Sequence, residues 1–177
     1  MKGHLFLIGF MGTGKTAVSE ELSSQTGIPV LDTDEAIRLQ AGMEITEIFA
    51  QKGEEYFRNL ETQLLKGLAG EVPRIVSCGG GMPLRPQNVA LMRQSGMVFW
   101  LTASPETVYE RLKNDHTRPL LAGKNNPEGI ALLMEKRREV YEAACDVQIS
   151  TDGRTPAEIA AEIAETGAGI LRHKVTD

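Results

Sequence analysis

Gly9-Phe10-Met11-Gly12-Thr13-Gly14-Lys15-Thr16 sets three glycines, a lysine and a hydroxyl at the spacing GxxxxGK[ST]. Glycines at these positions let backbone N–H groups curl around phosphate oxygens, and a helix opening behind them adds its positive end. Gly12, Thr13, Gly14, Lys15, Thr16 and Ala17 are therefore expected to hold the phosphates of a nucleotide. Lys15 would reach the β and γ phosphates, and the Thr16 hydroxyl would ligate Mg²⁺. Further along the chain, Asp32-Thr33-Asp34 offers two carboxylates at i and i+2, and Gly79-Gly80-Gly81 leaves three successive amides without side chains to block an approach. Arg137 interrupts the helical stripe Ile130, Leu133, Met134, Tyr141, Ala144, where an arginine needs an anionic partner or a path to water. Arg58 sits on the shoulder of a second stripe, Phe57, Leu60, Leu64, Leu68, and either pairs with Glu54 one turn away or points along a pocket rim.

These groups need a scaffold that carries them to one edge. Short branched runs, His4 to Ile8, Ile28 to Leu31, Arg74 to Ser77, Met97 to Leu101 and Val147 to Ser150, alternate with helix-patterned segments. That alternation predicts an α/β fold with a five-stranded parallel sheet flanked by helices. In such a sheet ligands collect outside the carboxyl ends of the strands, where the glycine loop and Asp32 and Asp34 fall. Gly27 and Gly96 are read as left-handed helix caps, Ser104-Pro105 and Asn126-Pro127 as helix starts, and Thr155-Pro156-Ala157-Glu158 as a capping box. A helical insertion, about 32–70, is too long for a simple crossover, with pieces at Glu35 to Ala41, Glu44 to Gln51 and Glu54 to Ala69. A polar stretch, about 114–126, has the composition of a lid.

With 177 residues, one domain spanning 1–177 is expected. Lys and Arg number 19 against 24 Asp and Glu, a net charge of −5, which argues against nucleic-acid binding and requires any positive charge to be focused locally. The two cysteines and three histidines are scattered, without the spacing of a zinc or disulfide framework. Apolar runs are too short to span a membrane, so a monomer in a reducing cytoplasm is the expectation.

A nucleotide-binding loop leaves the acceptor open, since GTPases, motors and small-molecule kinases share it. The guanine-reading NKxD pattern is absent, and the residue after Lys15 is Thr16 rather than the glycine usual in adenylate-kinase-type loops. The acidic Asp32-Thr33-Asp34, the run Gly53-Glu54-Glu55-Tyr56-Phe57-Arg58-Asn59-Leu60-Glu61, the triple glycine 79–81 and Arg118-Pro119-Leu120-Leu121 together resemble the shikimate kinase family, in order and spacing, from Gly9 to about Ser150. Glu139-Val140 stands where that family commonly has Pro-Leu, which leaves the choice between Arg137 and Arg138 open. The resemblance implies a three-layer P-loop kinase fold and transfer of the γ-phosphoryl of ATP, with Mg²⁺, to the 3-hydroxyl of shikimate. It implies that Arg58, Arg137, Asp34 and Gly79 to Gly81 hold shikimate and that Asp34, Lys15 and Arg118 are catalytic. Asp32 and Thr16 would hold the metal, and Arg111, Arg118, Arg154 and Pro156 would border the nucleotide. A gluconate-kinase-like enzyme and a non-catalytic nucleotide-binding protein are the alternatives.

Overall fold

The computed structural model describes residues 3–113 and 126–173. Five parallel strands form one sheet in the order β2-β3-β1-β4-β5, with β1 at His4–Ile8, β2 at Val30–Asp32, β3 at Ile75–Ser77, β4 at Gly96–Thr102 and β5 at Val147–Ser150. All five residues of the central strand β1 are buried, as expected when helices cover both faces. Its side chains alternate between two cores. Phe6 and Ile8 join Val76, Val98 and Trp100 under α4 (Glu54–Gly67), α5 (Pro86–Ser95) and α7 (Pro127–Ala144). Leu5 and Leu7 join Ile75, Phe99 and Ile149 under α1 (Lys15–Thr26) and α8 (Pro156–His173). The two faces give the three layers.

The insertion holds three helices, α2 (Thr33–Ala41), α3 (Ile45–Lys52) and α4, around a small core of Ile37, Ile48, Phe57 and Leu60. The starts of α2 and α3 are chemically marked, whereas α4 begins on Gly53 without a side-chain cap. The Asp32 side chain accepts the Asp34 and Glu35 amides, and Glu44 with Glu47 forms a capping box. The remaining described helix, α6 (Pro105–Leu112), starts on the Ser104 hydroxyl, and α7 starts on the Asn126 side chain. Thr155 and Glu158 exchange the two bonds of a capping box before α8.

Some expected boundaries shift. The second strand begins at Val30 rather than Ile28, because Ile28 and Pro29 lead out of α1 and the residues in register with β3 start at Val30, Pro29 giving only its carbonyl to the Ile75 amide. Gly27 is a left-handed cap (φ 72°), but Gly96 is not: at φ −176° it is extended backbone and the first residue of β4. Glycine is required there for a different reason, since a Cβ would fall on the His4 carbonyl of the neighbouring strand. His4 itself is structural, its ring bridging the Leu68 carbonyl and the Arg74 amide at the end of β1 remote from the glycine loop. Among the described residues no helix is long and apolar enough to cross a membrane. Arg118 and nearly all of the expected lid lie outside the described residues.

Candidate active site

At the carboxyl end of β1 the chain turns into the glycine loop and then α1. Gly14, left-handed at φ 93°, caps α1 without a side chain, and no acidic residue occupies the first turn. The helix thus offers its amide end to an anion without a competing carboxylate. Thr13 is buried, its hydroxyl donating to the Phe10 carbonyl at 2.8 Å, which pins the loop's curvature. Lys15 Nζ donates to the carbonyls of Gly9 (2.8 Å) and Phe10 (3.0 Å), so its charge is held over the loop. Thr16 and Ala17 are exposed at the start of α1.

Beside this loop, in the neighbouring strand position, β3 ends in Cys78-Gly79-Gly80-Gly81. Each of the three glycines meets a different side chain drawn from a different helix. A Cβ on Gly79 would lie 2.5 Å from Asp34 Oδ1 of α2. One on Gly80 would lie 3.5 Å from Arg137 Nη1 of α7, and one on Gly81 would overlap the Arg58 guanidinium of α4. The missing Cβ atoms leave room for a carboxylate and two guanidinium groups to converge on adjacent residues. Gly80 is also within 3.6 Å of the Gly9 carbonyl on which Lys15 rests, measured from the same hypothetical Cβ, so the crevice is continuous with the phosphate loop.

Each wall is fixed from behind. The Gly79 amide donates to Thr33 Oγ1 at 2.8 Å, tying the glycine run to the Asp32-Thr33-Asp34 segment. Tyr141, one turn beyond Arg137, donates its hydroxyl to the Gly80 carbonyl at 2.6 Å, and Arg137 Nη1 reaches the same carbonyl at 3.4 Å. Burial, above all, raises the pKa of the Tyr141 hydroxyl, which keeps it a donor. The Arg137 guanidinium lies 5.9 Å from the Phe10 ring centre, a cation–π contact with the glycine loop. Arg138 instead pairs with Glu135 and Glu142 on the exposed side of α7, so of the two arginines only Arg137 enters the crevice.

Arg58 makes the helical ion pair with Glu54 at 3.1 Å, and in addition a contact that the sequence reading missed. Its Nη1 donates to both carboxylate oxygens of Glu61, at 3.0 and 2.9 Å, and Glu61 has no exposure at all. Burial alone would lower the Arg58 pKa, but its two carboxylate partners outweigh that and raise it. For Glu61 burial dominates the attraction of Arg58, and the nearby Asp34 charge adds to it, so its pKa is pushed up to about 7. The spacing of Arg58 and Glu61 at i and i+3, directly after the buried Phe57, was the available signal.

Asp32, not Asp34, is the helix cap, so Asp34 is left to face the glycine run. Arg111 donates to the Gly12 carbonyl and to Thr151, and Arg154 donates to the Ser150 carbonyl and pairs with Glu162. Arg111 therefore ties the phosphate loop to the loop between β5 and α8, in which Arg154 lies, with Pro156 at the first turn of α8 beyond it.

The family model for shikimate kinase matches residues 11–168. The chain belongs to the shikimate kinase family. The shikimate kinase of Persephonella marina is 41% identical over 90% of this chain and 96% of its own. A solved shikimate kinase from Acinetobacter baumannii, in complex with shikimate, superposes with a TM-score of 0.86 at 30% identity, covering 97% of this chain and 94% of that one. A gluconokinase from Sinorhizobium meliloti reaches a TM-score of 0.60 at 18% identity, covering 97% of each chain, and shares the fold alone. The five-stranded parallel sheet with flanking helices is thus the family's P-loop kinase architecture, and members of this family are ATP-dependent phosphotransferases.

Proposed function

We propose that this chain transfers the γ-phosphoryl group of ATP to the 3-hydroxyl of shikimate, giving shikimate 3-phosphate and ADP on the route to aromatic amino acids. One observation carries the acceptor assignment: Asp34 and Arg58 occupy the space that side chains on Gly79 and Gly81 would fill, and Arg137 lies against Gly80 between them, next to the carbonyl that holds Lys15. Two guanidinium groups suit a carboxylate, and a carboxylate on the adjacent glycine suits a hydroxyl. A cyclic hydroxy acid satisfies both at once.

In this reading Arg58 and Arg137 fix the substrate carboxylate while Asp34 accepts a hydrogen bond from the reacting hydroxyl and can take its proton. Lys15 moves from the Gly9 and Phe10 carbonyls to the β and γ phosphates, and the amides at Gly12 to Ala17 cradle them. Catalysis is then mainly positioning and charge stabilisation. Arg111, Arg154 and Pro156 border the nucleotide. Arg118 completes the phosphate charge balance by family analogy.

The oxygen donors fit Mg²⁺. Asp32 spends Oδ1 on the α2 cap, and Thr16 presents an exposed hydroxyl at α1. Among the described residues no cluster of three acidic, histidine or cysteine ligands exists, which suits an ion completed by phosphates and water. When bound, Mg²⁺ would neutralise phosphate charge. We further propose that residues 1–177 form one domain, organised on the single five-stranded sheet, acting as a cytoplasmic monomer. Incubation with ATP, Mg²⁺ and either shikimate or gluconate, reading ADP, tests the assignment. ADP release only with shikimate is expected, and none above background with shikimate would overturn it.

A further inference from the structure

Glu61 of α4 is wholly buried, a rare place for a carboxylate unless it is paired. Several charged or titratable groups surround it. Arg58, on its own helix, gives it two hydrogen bonds and is shared with exposed Glu54. Asp34 of α2 faces it across Gly79, whose hypothetical Cβ would lie 2.5 Å from Asp34 Oδ1 and 3.4 Å from Glu61 Oε1. Arg85, before α5, attracts it from a distance while bound to Glu55 and Asn59. Cys78, at the end of β3, is a buried thiol whose pKa is raised and which stays neutral. Arg137, and the Gly9 carbonyl that Lys15 holds, lie at the next glycine, Gly80. One guanidinium in contact thus serves two neighbouring carboxylates before any substrate arrives.

We infer that Glu61 takes up a proton from solvent when a substrate carboxylate reaches Arg58, so that acceptor binding is coupled to proton uptake. The inference rests on the assignment of Arg58 to the shikimate carboxylate. Bringing another anion onto that guanidinium, near Asp34, disfavours the ionised form of the buried Glu61. Protonation turns one carboxylate oxygen into a hydroxyl and leaves the other to accept from Arg58, so the clamp survives. No bond in the substrate changes.

The sign follows from the starting state. Glu61 titrates near pH 7 in the free protein, and an added anion moves it higher. Well below pH 7 the group already carries its proton, and binding takes up none. Between about pH 7 and 8.5 binding takes up a fraction rising toward one proton, and affinity falls by up to about tenfold per pH unit. Shikimate's own carboxylate stays ionised throughout, and the histidine resolved in the sheet, His4, lies at the far end of β1.

Isothermal titration of shikimate alone, without nucleotide or metal, in phosphate, HEPES and Tris at pH 6.0 and 8.0 measures the proton count from the buffer dependence of the heat. An uptake above roughly half a proton at pH 8.0 and near zero at pH 6.0 is expected. Binding with no buffer dependence at pH 8.0 overturns the inference and leaves the functional reading intact; absence of shikimate binding overturns that reading instead. Glu61→Gln keeps an amide acceptor for Arg58, and should bind with a pH-independent affinity and no proton uptake. Uptake that persists in the variant would assign the proton elsewhere and overturn the inference. Absence of a wild-type slope overturns the inference without any variant, because a Glu61 that only braced Arg58 would give none.

Discussion

The two sides of the crevice are built by different means. The phosphate side is one continuous stretch, Gly9 to Ala17, whose working parts are backbone amides, a helix end and one lysine held on two carbonyls. The acceptor side is assembled from α2, α4, α7 and the β3 exit loop, with three charged side chains converging on three glycines. Backbone groups are placed by the chain's own curvature, so the phosphate side needs little support. Guanidinium groups drawn partly out of water need partners: Arg58 has Glu54 and Glu61, while Arg137 has the Gly80 carbonyl and the Phe10 ring. The acceptor side should therefore be the more sensitive to pH and to small changes in shape.

The largest effect that separates the two sides is expected from Lys15→Ala. Phosphoryl transfer should fall by about 10³-fold or more, as when a transition-state charge partner is removed, while shikimate affinity measured by titration calorimetry stays within about threefold. A parallel loss of shikimate binding would mean the two sides are not separable. Next come Arg58→Ala and Arg137→Ala, which should weaken shikimate binding by roughly 30- to 10³-fold, the range for breaking a buried charge pair, and nucleotide binding by less than about threefold. Comparable losses for both ligands would remove the division between the walls.

A smaller contrast lies within the glycine run. Gly79→Ala puts a methyl group 2.5 Å from Asp34 Oδ1 and should cost at least about tenfold in shikimate affinity, whereas Gly80→Ala meets nothing closer than 3.5 Å and should change it by about twofold at most. A last contrast concerns stability and not ligand affinity. Glu61 is pushed up from 4.5 to about 7, so the folded protein binds more protons than the unfolded chain between those values. The contribution from this group is therefore fully present below pH 4.5 and lost as pH rises to 7, a change on the order of 3 kcal/mol. The melting temperature of Glu61→Gln relative to wild type should rise between pH 5 and pH 8. A difference that is flat with pH would contradict the buried carboxylate's role.

How much of this was legible in the sequence follows the same division. The phosphate loop is local, and its glycines, Lys15 and Thr16 are readable from spacing alone. Five strands and the insertion helices follow from periodicity and caps, with errors where a glycine has two possible uses: Gly96 reads as a helix stop, but it serves a strand that passes too close to His4 for a side chain. Arg58, Arg137 and Asp34 stand out as charges in awkward positions, yet which surface they share depends on tertiary contacts, and family resemblance supplied the link. The choice of Arg137 over Arg138 required the helix phase that turns one toward Gly80 and the other toward Glu135 and Glu142. Glu61 escaped because an acidic residue three places after an arginine looks like an exposed helix pair. Only the tertiary fold, which sets it against Gly79 near Asp34, reveals it as buried.

A crystal structure of the binary complex with shikimate tests the central claim most directly. The account predicts the carboxylate within hydrogen-bond reach of both the Arg58 and Arg137 guanidinium groups, with a ring hydroxyl on Asp34 and facing Lys15. A carboxylate bound by neither arginine, or a ring seated away from Gly79 to Gly81, would contradict it.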